Sequence, residues 1–173
     1  MKIEVKVEGK VPLIMDRFAP ATKETSTRAK KVYEPKDEAE KSTYRTKDNK
    51  LYLPAAHFKA SMVKASTDFI MKGKKTYKDY IKAGIIIDPD DIVLDQQEYV
   101  IHEEAVVIQR ARVMSWRPKI EKWSCKFQIE ITDDMINQSV LKEILEAAGR
   151  FKGVGAHRPD YGRFEVNSYK VIK

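Results

Sequence analysis

Three patterns predict an α+β fold in which an antiparallel sheet carries helices on one face. Ile3, Val5 and Val7 alternate with Lys2, Glu4, Lys6 and Glu8, the period of a half-buried strand. Trp123, Cys125, Phe127, Ile129 and Ile131 alternate just as strictly with Ser124, Lys126, Gln128 and Glu130. Between and after these strands, apolar residues recur at helical spacing: Phe58, Met62, Ala65 and Phe69, then Val140, Leu141, Ile144, Leu145 and Ala148.

Taken in order, the first strand runs on through Val11 to Ile14. From Asp16 to Lys50 the chain is mostly polar and charged, so 16–50 is expected to be a flexible charged insertion after the first strand. Leu51-Tyr52-Leu53 reads as a short strand, and Pro54 stands where a helix begins. That helix is expected to run past Phe69 to Gly73, with Lys64 and Asp68 on its polar face. TYKDYIKAG is a short second helix ending at Gly84. Ile85–Ile87 and Ile92–Leu94 are short strands around DPDD. Those aspartates read as a turn rather than a cation site, because Asp bonds its own backbone and Pro presets the turn. Tyr99–Ile108 reads as a strand, and RARVMSW continues it or starts another within an expected β-hairpin insertion, a run that Pro118 is expected to break. FEVNSYKVI closes the chain as the last strand. Without the insertions the order is βαββαβ, the ferredoxin-like core that RNA-recognition domains also use.

The chain has 173 residues, the size of one domain spanning 1–173. It is 34% charged, above the roughly 25% of an average domain, with a formal net charge of +7. That balance favours an anionic partner, above all nucleic acid. The single cysteine, Cys125, excludes an internal disulfide and a cysteine-rich metal site and fits a reducing compartment. No signal-peptide core or membrane span is legible, so the expected setting is the cytoplasm, with no membrane partner. His57, His102 and His157 share no metal-clamping spacing, and the glycine stretch lacks the GKS or GKT ending of a phosphate loop. No metal or cofactor is expected.

Two stretches carry the functional reading. In RARVMSWRPK, residues 110–119, a strand would place Arg110, Arg112, Met114 and Trp116 on one face, with Arg117 beside them. Arginines there would grip phosphates and the indole would stack on a base; the alternative is a solvated face whose Trp and Met are buried. In GVGAHRPDYGRFEV, residues 153–166, Gly153, Gly155 and Gly162 would let backbone approach a ligand closely, while His157, Arg158 and Arg163 would meet phosphates. Equally, Gly153 would serve as a helix cap and Gly162 as a turn. His57 or His157 could act as a general base in RNA cleavage.

LYLPAAHFKASMVKAS and GVGAHRPDYGRFEV together resemble two segments of the repeat-associated mysterious protein (RAMP) superfamily. The first is similar to its strand, proline and basic amphipathic helix. The second is similar to the glycine-rich loop between its last helix and last strand. The resemblance covers about two thirds of this chain. It implies a compact, single-domain relative of the RNA-binding subunits of CRISPR complexes. It implies RNA held by Lys59, Lys64, Arg158 and Arg163, with 16–50 as a thumb or flap, and subunits that oligomerise along the strand or join a ribonucleoprotein. The sequence does not separate RNA from single-stranded DNA. The alternatives are a metal-independent endoribonuclease and a protein-interaction module for an acidic partner.

Overall fold

The computed structural model describes residues 1–18 and 34–172. In chain order the elements are β1 (Lys2–Gly9), β2 (Leu13–Ile14), α1 (Pro35–Lys41), β3 (Tyr52–Pro54), α2 (Ala55–Ala65), β4 (Ile70–Lys72), β5 (Lys75–Thr76) and α3 (Lys78–Gly84). Then follow β6 (Ile85–Asp88), β7 (Asp91–Val93), β8 (Val100–Ile108), β9 (Ala111–Ile120), β10 (Ser124–Ile131), α4 (Gln138–Ala147) and β11 (Phe164–Ile172).

The main sheet has the strand order β11-β1-β10-β6, and every neighbouring pair is antiparallel. β1 lies inside it, with Val5 opposite Phe127 on one side and Tyr169 on the other. The alternation seen in the sequence is the alternation of burial: Ile3, Val5 and Val7 are fully buried, as are Cys125 and Ile129. These inward residues meet Phe58 and Met62 of α2 and Leu141, Ile144 and Leu145 of α4 in one core. Phe58 packs 4.7 Å from the Phe127 ring and 5.4 Å from Phe164, measured between centroids. Asn137 caps α4 by accepting from the Ser139 N–H at 2.8 Å, which satisfies one of the orphan donors of the first turn.

The other face of β1 and β10 presents Lys2, Glu4, Lys6 and Glu8 beside Ser124, Lys126, Gln128 and Glu130. Signs alternate, Lys2 pairs with Glu130 at 3.8 Å, and neither strand places an aromatic ring there for a base to stack on.

Three expectations need correction. The helix after Pro54 stops at Ala65 rather than reaching Gly73. Ser66 Oγ donates to the Val63 carbonyl and Thr67 Oγ1 to the Lys64 carbonyl, both at 2.8 Å, drawing the last carbonyls away from the α ladder. A single 3₁₀ turn follows, and β4 and β5 make a small hairpin around Gly73. Pro118 does not end its strand, which runs on to Ile120. β2 pairs β9 only at Lys119 and Ile120, so Pro118 stands at the margin of that pairing, where a missing N–H is tolerated. Finally, the polar stretch 16–50 includes a helix. Ala39 of α1 is fully buried, and Thr43 Oγ1 closes the helix by donating to the Glu40 carbonyl at 2.7 Å. The remainder of that stretch, 19–33, lies outside the described residues.

Candidate nucleic-acid interface

After α4 the helix widens into a π turn, Ala148–Lys152, and the chain enters the glycine loop. The loop's base is built into the protein. Val154 is fully buried. The Val154 N–H donates to the Gly162 carbonyl at 2.9 Å, Gly162 N–H to Pro12 at 2.9 Å and Ala156 N–H to Ile14 at 2.8 Å. Two glycines are demanded by this clasp. Gly162 has φ +77°, and a Cβ there would lie 1.7 Å from the Val154 carbonyl oxygen. Gly155 also has φ +77°, and its Cβ would lie 2.6 Å from the Ile14 carbonyl oxygen. Backbone approaches backbone here, and several of the loop's amides are already taken by the protein itself.

The loop's crest is different. His157, Arg158, Pro159 and Asp160 are exposed, as is Arg163 where the loop leaves for β11. Arg158 and Arg163 join none of the ion pairs found among the described residues.

The crest stands between two neighbours. On one side is the base of the β8–β9 hairpin. His157 Nε2 lies 3.3 Å from a Glu104 carboxylate oxygen, and His102 Nε2 lies 3.7 Å from the same atom. The His102 ring packs edge-on to Tyr161 at 5.5 Å. Arg117 is held by Asp16, Nε to carboxylate oxygen 2.9 Å, and so leans across to the start of the insertion. On the other side is the first turn of α2. His57 packs edge-on against Tyr44 at 5.5 Å, and Tyr44 against Tyr52 at 5.6 Å. Burial and, secondarily, the nearby Arg158 charge hold the His57 pKa below its ordinary value. Among the described residues its buried Nδ1 has no hydrogen-bond partner.

The remaining expected site residues divide. Lys59 is engaged inside the fold, its Nζ donating to the Ile85 carbonyl at 2.8 Å. Lys64 is exposed on the last turn of α2. Arg110 does not share a strand face with Arg112: it occupies the hairpin turn with Gln109, at φ +70° and +48°. Arg112, Met114 and Trp116 do line one face of β9, opposite Val107, Ala105 and Glu103 of β8. Arg112 and Met114 are exposed and Trp116 is half-buried. Gly153, at φ +72°, ends the π turn, its N–H donating to the Ala148 carbonyl at 2.8 Å. The sequence reading assigned no part to His102, Glu104, Tyr161 or Tyr44. His102 and Glu104 sit two apart on one strand face, a weak signal, but their meeting with the loop is a matter of tertiary structure. Among the described residues no three His, Cys, Asp or Glu side chains gather as a metal site, and no helix is long and apolar enough to cross a membrane.

No protein-family model and no curated protein matches the sequence. Solved structures do match it. A chain in the cryo-EM structure of the type III-B Cmr-beta bound to cognate target RNA aligns over 99% of this chain at a TM-score of 0.65 and 11% identity. This chain spans 60% of the length of that one. Cmr6 from Pyrococcus furiosus aligns over 95% of this chain and 97% of its own, at a TM-score of 0.50 and 12% identity. This chain shares its fold with both over nearly its whole length.

Proposed function

We propose that this protein is a non-catalytic RNA-binding subunit of CRISPR RAMP type, which grips the phosphate backbone and oligomerises along the strand. The observation that carries the reading is the pair of exposed guanidiniums, Arg158 and Arg163, on a loop whose base is clasped to Pro12 and Ile14. Cations that meet no carboxylate among the described residues, mounted on fixed backbone, are prepared for phosphate at little entropic cost. The +7 charge agrees, and so does the fold shared with a chain from a complex bound to target RNA. The order β11-β1-β10-β6, with α2 and α4 as the two crossover helices, supports reading the core as ferredoxin-like.

RNA lies, in this reading, across the loop crest and along the Arg112–Trp116 face of the hairpin, with Arg110 at its tip and Arg117 at its base. Lys64 extends the basic surface along α2. Lys59 and the glycines Gly153, Gly155 and Gly162 act by holding the loop and α2 in place. The charge-alternating outer face of β1 and β10 takes no part. The test is fluorescence anisotropy with single-stranded RNA over a salt series. Micromolar binding that weakens steeply with salt is expected. No binding to RNA at low salt overturns the proposal. Light scattering with RNAs of increasing length tests the oligomer: mass should rise in steps with length.

One observation favours a second reading, a metal-independent endoribonuclease. Burial and the Arg158 charge hold the His57 pKa below its ordinary value, so its imidazole is neutral near pH 7, which suits a general base with a cation at hand. Specific cleavage of labelled RNA in EDTA, lost in His57→Ala, would establish it over the first reading.

A further inference from the structure

A cavity of about 650 Å³ lies between α4 with its π turn and the start of β11, and Arg163 lines it. This is the size range of small-molecule sites. Its walls are of three kinds. One is aromatic: Phe151, on the π turn, is 59% exposed, with the Arg150 guanidinium 5.8 Å from its ring centre. One is cationic: Arg150 and Arg163 both line the cavity, and neither joins an ion pair among the described residues. One is anionic: Glu143 and Glu146, three apart on α4, line it together. Glu146 is drawn toward Lys142 at 3.7 Å, while Glu143 has no such partner among the described residues. Lys10, which also lines the cavity, is taken by Glu165 at 3.0 Å.

We infer that this cavity is a guanine-nucleotide subsite, with the base stacked on Phe151, its Watson–Crick edge on Glu143 and its phosphate on Arg163 and Arg150. An exposed phenyl ring beside two guanidiniums that meet no carboxylate among the described residues suits a flat, anionic ligand. The carboxylate selects among bases. Guanine alone offers two adjacent donors, N1–H and the N2 amino group, to the two oxygens of one carboxylate. Uracil offers one donor flanked by carbonyl oxygens, which the carboxylate repels. Adenine and cytosine set a ring acceptor beside their amino group. A π turn at such a place fits the pattern that these insertions gather at functional sites. The subsite shares Arg163 with the glycine loop's phosphate grip but does not need Arg158, which does not line the cavity. The guanine arrives either as a free nucleotide or as one residue of a bound RNA.

The test is titration of the full chain with GMP, AMP and UMP at low salt, followed by heteronuclear NMR. GMP should shift the amides around 143–151 and 163–166 and bind at least about tenfold more tightly than AMP or UMP. Phe151→Ala should lose GMP binding, and Glu143→Gln should abolish the preference for GMP over AMP. Glu146→Gln should retain it. Circular dichroism melts check that each variant is folded. An Arg158→Ala variant should bind GMP like the wild type, which separates this site from the loop crest. A short RNA carrying guanosine, compared with its inosine counterpart, tells the two sources apart: a loss of affinity on removing the N2 amino group marks the RNA, and no loss marks the free nucleotide. Equal binding of GMP and AMP, no shift with any nucleotide, or GMP binding untouched by both Phe151→Ala and Glu143→Gln would overturn the inference.

Discussion

Replacing Arg158 and Arg163 together by alanine removes two exposed cations that hold no carboxylate among the described residues. No buried charge is stranded, so stability should change by no more than about 0.5 kcal/mol per site, which a urea melt reads directly. Binding should change in a defined way. On single-stranded nucleic acid each neutralised phosphate contributes about −0.7 to the slope of log K against log salt, so losing two contacts makes the slope shallower by about 1.4. Between about 50 and about 200 mM salt, that difference means the wild-type advantage shrinks about sevenfold. Anisotropy titrations of both proteins on one fluorescent RNA at four salt concentrations measure both slopes. An internal check comes from His57, whose pKa the Arg158 charge helps to depress. In the double variant its NMR titration should move up toward the ordinary value of 6.5. Parallel salt slopes in the two proteins, with the double variant fully folded, would refute the idea that these side chains meet phosphate.

Gly162→Ala forces a Cβ to 1.7 Å from the Val154 carbonyl oxygen at a φ of +77°, and should cost about 2–4 kcal/mol in a urea melt. A melt unchanged within error contradicts the clasp. Trp116→Ala should lose about 1–3 kcal/mol of RNA affinity, beyond the loss in Arg110→Ala, if a base stacks on the half-buried indole. A large drop in melting temperature instead marks that ring as packing. His57 has a lowered pKa in the fold, so the unfolded chain binds its proton more readily. The stability this contributes is complete above pH 6.5 and is lost as pH falls through the folded value; His57→Gln should flatten that part of the stability profile, read by melts between pH 7 and pH 5.

Periodicity alone determined the skeleton. The alternations at Ile3–Val7 and Cys125–Ile131 became two adjacent strands of the main sheet, and the stripe Leu141–Ile144–Leu145 became the buried side of α4. A period of two or 3.6 is a direct record of which side chains leave water, so it survives reading one residue at a time. The glycine stretch was visible as unusual for the same local reason: three glycines close together signal backbone that no Cβ could join.

Where distant segments meet, composition carries no such record. The nine-pair register of β8 on β9 continues past Pro118 because β2 covers only the last two residues of β9, a fact about a neighbour more than a hundred positions away. The end of α2 depends on which carbonyls Ser66 and Thr67 capture, and α1 depends on a place for Ala39 to be buried. The glycines themselves read equally well as a ligand cradle or as turns until Val154, Pro12 and Ile14 stood beside them. Tertiary structure also divided the cations, engaging Lys59 and Arg117 while leaving Arg158 and Arg163 outward. Charge can be counted along a chain, but whether it is already neutralised is a property of what folding brings within a few ångströms of it.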